Sequence, residues 1–363
     1  MTKNLVLYLA EDTKNAQYRY RVSNIEAACK KSQSWRVEVF LKSYLEKVYK
    51  ELENATFLII ERQTAKDNAI IKLIKTAKAN GVKVIFDLDD LIFDYRDLPL
   101  LMRATNSRNI FYWFGYFSGI RRIAKRSDGF LTTNDFLAKK LACSFSRPVA
   151  VIPNSLNFEQ IEISKKSLEQ KPKIKNKTFT LGYFSGSPTH AKDFRLIEPE
   201  LIKFLNDFPD SVLKIVGYME FSKPAQKLLK EGRIIFEKPV NYLKLQEKIA
   251  SVNVNLAPLI LNDFTNSKSE LKFFEAAIVE VATVASPNFT FKKAIKDGKT
   301  GLLAKPGEWY KKLEFLYQNP SKNKEIAKNA KEYCLKSYYG EEFLIKIEAA
   351  YNKLERELKK IRS

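Results

Sequence analysis

At 363 residues the chain is long for one hydrophobic core, and two domains are its natural organisation. Its 45% hydrophobic residues and many aromatics exclude a disordered chain, a lone histidine leaves almost no room for a catalytic triad or a His-based zinc site, and three scattered cysteines exclude a disulfide framework. The excess of 63 Lys+Arg over 42 Asp+Glu, net +21, favours nucleic acid, an anionic membrane surface or anionic small molecules. No RNA-binding, zinc-finger or helix-turn-helix signature accompanies that charge, so nucleic acid is not an expected partner. No run reaches transmembrane length and the N-terminus lacks the order of a signal peptide, which predicts a cytoplasmic protein.

In chain order, residues 4–10 form a continuous apolar run that predicts a buried parallel strand. The helix after it opens with Tyr18-Arg19-Tyr20-Arg21, just past a strand's carboxyl end, where open α/β sheets bind ligands. Arg19 and Arg21 there suit an acceptor or a phosphate, or are simply an exposed basic helix start. Residues 35–40 and 55–61 predict the next strands. A basic amphipathic helix over 65–80 stops at Gly81 in the C′ position. The strand at 82–86 runs into Asp87-Leu88-Asp89-Asp90. A phosphatase nucleophile motif would want Thr where Leu91 stands. A metal-binding Asp-x-Asp and an N-cap by Asp90 are the other readings, and capping accounts for one Asp but hardly three. Residues 98–117 are rich in aromatics and Arg, either a membrane-interface element or a core helix. Strands follow at 129–134 and 148–154. The Lys-rich segment 158–177 has no apolar period and reads as a linker.

The pattern then restarts. A strand at 178–184 leads into Ser185-Gly186-Ser187, followed by Thr189-His190 and Lys192, with a helix over 194–208. A Gly and small hydroxyls after a strand make a phosphate cradle. Strands at 211–218, 234–236 and 254–258 come next. In the stretch 266–287, Ser267 and Glu270 have capping-box spacing, which predicts a helix start, and Leu271, Phe274, Ile278 and Val281 give that helix one apolar stripe. Lys268, Lys272 and Glu275 share a polar edge, and the basic, N–H-rich start suits a phosphate. An ordinary capped amphipathic helix is the plain alternative. A short strand ends at Ser286. A charged amphipathic helix over 341–361 closes the chain.

The stretch 266–287 resembles the nucleotide-sugar site of glycosyltransferases with two Rossmann-like domains, the GT-B fold of family 4 or group 1 type. Glu275-Ala276-Ala277 and Thr283-Val284-Ala285-Ser286 fit the family pattern of a first Glu, a second Glu eight residues on, Gly-x-Pro and a strand. Ser267 stands where the first Glu belongs, Glu280 and Ala282 where Gly and Pro are usual, and Ser187 where an Arg follows Gly186. The Asp cluster and the Thr-His-x-x-Asp form of the loop at 189–193 also resemble a subset associated with bacterial surface polysaccharide synthesis, and the Val-Ile-Pro-Asn ending at 151–154 is similar to the GT-B domain crossover. The resemblance implies an α/β protein. It has an acceptor domain over 1–157 and a linker over 158–177. A donor domain covers 178–340, and a helix over 341–363 crosses back to the first domain, with a cleft between the domains. It implies a retaining, metal-independent transfer of sugar from a nucleotide diphosphate sugar to a glycan or lipid-linked glycan, with no cofactor. Gly186, Ser187, Lys192, Asn266, Ser267, Lys268, Lys272 and Glu275 would hold the donor. Asp89, Asp90, His190 and Lys192 would serve catalysis, and Arg19, Arg21 and Asp87 the acceptor side. The basic, aromatic surface of the first domain is expected on the inner face of the cytoplasmic membrane. The rival from another class is a non-catalytic scaffold that binds an anionic polymer or membrane-bound polysaccharide machinery.

Overall fold

The computed structural model describes residues 3–65, 68–105, 107–170, 178–187 and 191–360. The chain forms two compact units. One comprises residues 1–155, 267–269 and 338–363, the other 156–266 and 270–337.

The first unit is built on a six-stranded parallel sheet in the order β2-β1-β3-β4-β5-β6. Its strands are β1 (Asn4–Ala10), β2 (Trp35–Leu41), β3 (Ala55–Glu61), β4 (Lys83–Asp87), β5 (Gly129–Thr132) and β6 (Val149–Val151). Helices cover both faces, so the central strands are buried along nearly their whole length rather than alternating. The helix Ala69–Ala79 ends in a Schellman motif: Gly81, at φ +78°, is the C′ residue, and the Val82 N–H reaches back to the Ala77 carbonyl. The segment after β1 is helical from Ala16 to Cys29 but carries a π-turn over Arg19–Ser23. That widened turn holds Tyr20, Arg21 and Val22 in the interior. The long helix Gly340–Lys360 belongs to this unit. Phe343, Ile347, Tyr351, Leu354 and Leu358 recur at helical spacing and are buried. Tyr351 packs 5.1 Å from Trp35, which stacks on Phe57 at 5.5 Å.

The second unit has its own six-stranded parallel sheet, ordered β12-β11-β10-β7-β8-β9. The strands are β7 (Phe179–Ser185), β8 (Ser211–Gly217), β9 (Ile234–Glu237), β10 (Val254–Ala257), β11 (Ala282–Ala285) and β12 (Leu302–Leu303). Its main core gathers Tyr183, Phe194, Phe204, Leu213, Ile215, Trp309 and Leu313. The segment expected as a linker is a helix over Phe158–Glu169, and residues 171–177 lie outside the described residues. Asn157 caps the helix by accepting from the Gln160 N–H at 2.8 Å. It packs on the helix Tyr242–Ala250, with Glu159 accepting from the Tyr242 hydroxyl. Its buried stripe is Gln160, Ile161, Ser164 and Ser167. A stripe this polar leaves no apolar period to read.

Candidate active site

In the second sheet β7 has β10 on one side and β8 on the other, so chain order reverses direction beside β7. Such a switch point opens a crevice at the strands' carboxyl ends. The turn leaving β7 is shaped by Ser185, whose hydroxyl donates to the Ser187 carbonyl at 3.1 Å. Gly217, at φ +122°, ends β8 close by, and a Cβ there would fall 1.9 Å from the Ser185 carbonyl oxygen. Only glycine lets the two strand ends approach this closely. Gly186 differs: a Cβ on it would meet nothing within 4 Å among the described residues. His190 lies outside the described residues. Lys192 is half-buried in a five-residue helix, Ala191–Arg195, and a second helix runs over Glu198–Asp207. The single helix expected over 194–208 is thus two, because Pro199 fits the first turn of a new helix and not the interior of a continuous one. Asp193 is buried, and its carboxylate accepts from the Ile260 N–H at 2.9 Å, tying this helix to the loop after β10.

The helix expected to start at Ser267 starts at Leu271 and runs to Ala277, after a separate turn at Asp263–Asn266. Ser267 does not cap it. Ser267 is fully buried, and its carbonyl accepts from the Asn134 amide at 2.9 Å within the first unit. The Asn266 side-chain oxygen is taken by the Phe289 N–H at 2.9 Å. Seven residues of helix give no strong terminal dipole, so the charge for an anion must come from side chains.

Lys272 supplies it. Its ammonium nitrogen is buried, has no hydrogen-bond partner among the described residues and sits 4.6 Å over the Tyr183 ring. Burial pulls its pKa down to about 8, against the opposing pull of the Asp193 and Glu275 carboxylates. Glu275 is half-buried one turn on. The helix ends in a second Schellman motif, with Val281 N–H to the Ala276 carbonyl at 3.1 Å and Glu280 N–H to that of Ala277 at 3.0 Å. Its C′ residue is Glu280 at φ +53°, a left-handed position where glycine is the unstrained choice. Lys331 pairs with the Glu280 carboxylate at 2.7 Å.

In the first unit Arg21 and Asp87, expected on the acceptor side, are each only 1% exposed and pair with one another at 3.0 Å. Asp87 also accepts from the Tyr8 hydroxyl, and Arg21 donates to the Ile152 carbonyl. These bonds give both residues a place in the interior instead of at an acceptor. Arg19 is half-buried, its guanidinium 5.6 Å from the Tyr20 ring. Asp90 does not cap a helix. It pairs with Arg62 and, at 3.1 Å, with Lys268 of the segment 267–269. Burial pushes its carboxyl up, and Lys268 and Arg62 more than reverse this, holding it well below the usual range. A carboxylate so stabilised is a poor base, which argues against the catalytic role expected of Asp90, and Lys268 is committed to the same pair. Asp89 sits 3.1 Å from Arg62, and burial raises its pKa.

Two neighbours went unnoticed in the sequence. Arg62 bridges both aspartates. Glu61 ends β3 beside Asp87, accepts from the Glu11 N–H at 3.3 Å, and burial pushes it up to about 8. The signal that singled out Asp87, a carboxylate at a strand's carboxyl end, was present at Glu61 too. Among the described residues, Glu61 Oε1 and both amide atoms of Gln63 are buried without a hydrogen-bond partner, a concentration that folded interiors rarely leave unfilled.

Residues 166–333 match the family model described as glycosyl transferases group 1. No curated protein matches the sequence. Among solved structures the chain is similar to HepE (Alr3699) of Anabaena in complex with UDP and glucose, at 14% identity and TM-score 0.61 over 97% of this chain and 100% of that one. It is similar to sucrose-phosphate synthase of Thermosynechococcus elongatus, at 12% identity and TM-score 0.63 over 97% and 99%. A third is WaaG, a glycosyltransferase involved in lipopolysaccharide biosynthesis, at 13% identity and TM-score 0.60 over 95% and 98%. The chain thus has a GT-B fold, and its residues 166–333 are similar to group 1 glycosyl transferases.

Proposed function

We propose that the chain transfers a sugar, with retention and without a metal, from a nucleoside diphosphate sugar to a hydroxyl of a glycan or lipid-linked glycan in surface polysaccharide synthesis. The observation that carries the donor half is Lys272, inside the segment that matches the family model, whose buried ammonium has no hydrogen-bond partner among the described residues. A diphosphate oxygen supplies what Lys272 lacks, and Glu275 one turn on binds ribose hydroxyls. In the reaction the bond between anomeric carbon and diphosphate oxygen breaks, and the acceptor oxygen bonds to that carbon. The acceptor proton passes to the departing phosphate. Lys192, Lys272 and the amides of Gly186 and Ser187 meet the charge that grows on the leaving group, the point where fixed charge accelerates most. Lysines thereby do what a divalent ion does at other diphosphate sites. The HepE structures hold UDP or UDP-glucose, so uridine diphosphate is the first probe.

Thermal unfolding with UDP, and release of UDP from UDP-glucose over a panel of glycosides, test the reading. Glu275→Ala should leave the unfolding temperature unchanged and weaken UDP roughly ten- to a hundredfold, the worth of a hydrogen bond to a charged group. If Glu275→Ala binds as the parent does, the ribose lies elsewhere. Protection by UDP with no transfer to any acceptor would favour the non-catalytic scaffold.

A further inference from the structure

The helix Ile110–Ala124 begins with four large side chains in solvent: Ile110 is 52% exposed, Phe111 87%, Tyr112 55% and Phe114 56%. Other exposed hydrophobics are scattered along the chain, whereas these share the first turn and a half of one helix. Its opposite face, Phe117, Ile120, Ile123 and Ala124, is buried. The helix therefore has two apolar faces, and the one at its start is largely uncovered among the described residues, with Tyr95 stacked on Phe114 at 4.9 Å. Asn109 caps it by accepting from the Tyr112 N–H at 2.9 Å, so the exposed turn is well formed. Trp113 and Tyr116, in edge-to-face contact at 5.8 Å, are half-buried behind that face.

Charge says what the missing cover is. Residues 98–127 contain Arg103, Arg108, Arg121, Arg122, Lys125 and Arg126 and no carboxylate. Arg121 and Arg122 turn inward, to the carbonyls of Phe93 and Ala65. Arg103 and Arg108, in and just after the preceding helix Leu98–Thr105, are exposed beside the apolar turn, and Lys125 and Arg126 at its far end. A largely uncovered apolar face rimmed by cations suits a surface whose interior is hydrocarbon and whose skin is anionic. Fifteen residues span about 22 Å, short of a bilayer's hydrocarbon core, and among the described residues no helix is long and apolar enough to cross a membrane. The helix can lie in the interface and cannot traverse it.

We propose that this turn is a membrane-docking element that seats Ile110, Phe111 and Phe114 among the acyl chains of an anionic bilayer, with Arg103 and Arg108 at its headgroups. The inference stands apart from the donor chemistry: vesicle binding can fail with transfer intact, and the reverse. Its use to the proposed reaction is to hold the enzyme where a lipid-linked acceptor is concentrated.

Flotation of the full chain with vesicles of phosphatidylcholine alone, or equimolar with phosphatidylglycerol, tests it. Binding is expected on the anionic vesicles and weakened by salt. Ile110→Ser with Phe111→Ser should cut partitioning at least tenfold while thermal unfolding and UDP protection stay as in the parent, because both side chains are mostly in solvent. Arg108→Ala should cut it about fivefold. Absence of binding to anionic vesicles at low salt would overturn the proposal. So would binding that the double serine variant leaves intact, which would assign the effect to the general positive charge. Concentration-dependent self-association abolished by that variant, with no vesicle binding, would make the face a contact between copies of the chain and overturn it equally.

Discussion

At the carboxyl edge of the first sheet, Arg21 lies against Asp87, and Arg62 against Asp89 and Asp90. At the carboxyl edge of the second sheet, the Lys272 ammonium is also buried, lies over an aromatic ring and, among the described residues, has no hydrogen-bond partner, with the Asp193 and Glu275 carboxylates only near it. The two units share a fold, yet one closes its charges internally and the other holds one open. A buried charge costs several kcal/mol unless something compensates it. Where the partner is part of the chain, the charge serves the fold. Where the chain provides no direct pair, the proposed diphosphate would supply it.

The most forceful way to break this comparison is to unpair the first unit. Asp87→Ala leaves Arg21 buried without its counter-ion and should destabilise the protein by about 3–5 kcal/mol, read in denaturant unfolding. A loss under about 1 kcal/mol would mean the first unit's charges are no more structural than Lys272.

Lys272→Met is the mirror experiment. Removing a charge with no direct pair among the described residues should leave stability unchanged or raise it, while UDP affinity drops about ten- to a hundredfold. The pH dependence runs the same way. The pKa of Lys272 falls from 10.5 to about 8 on folding. Between these values the folded protein has released a proton that the unfolded chain keeps, so stability rises with pH across that window. UDP binding should fall across it as the ammonium is lost. A flat UDP titration from pH 7 to 10 would detach Lys272 from the donor.

The gentlest test concerns the end of the Leu271–Ala277 helix. Glu280→Gly removes a left-handed glutamate, worth about 1–2 kcal/mol of strain, and loses a surface ion pair to Lys331 worth under about 1 kcal/mol. Unfolding should shift upward slightly or not at all. A clear loss would give the Lys331 pair a larger part than its exposure suggests.

Strand positions were legible in the sequence because buried parallel strands are nearly unbroken apolar runs, as at 55–61 and 82–86. The stop at Gly81 was legible because a left-handed C′ residue has a chemical signature. The start of the helix after residue 266 was not. Ser267 and Glu270 have capping spacing, but tertiary bonds from Asn134 and Phe289 claim the backbone of Ser267 and the side chain of Asn266. The helix at 158–169 escaped because its inward face is Gln and Ser. In the candidate site, residue types were readable and pairings were not. Nothing in Asp87-Leu88-Asp89-Asp90 says that the first of these faces Arg21 and the last faces Arg62 and Lys268.

The first unit draws its closing helix, Gly340–Lys360, from beyond the whole of the second. This sets an order of events on the ribosome. At about 5–20 residues per second, the sheet that carries Trp35 and Phe57 waits roughly ten to forty seconds for Tyr351 to be made. The second unit's chain is complete first, the reverse of the usual vectorial sequence. Until the last helix emerges, the apolar face around Trp35 is bare, and this is the interval in which a nascent chain most needs a chaperone and is most open to proteolysis.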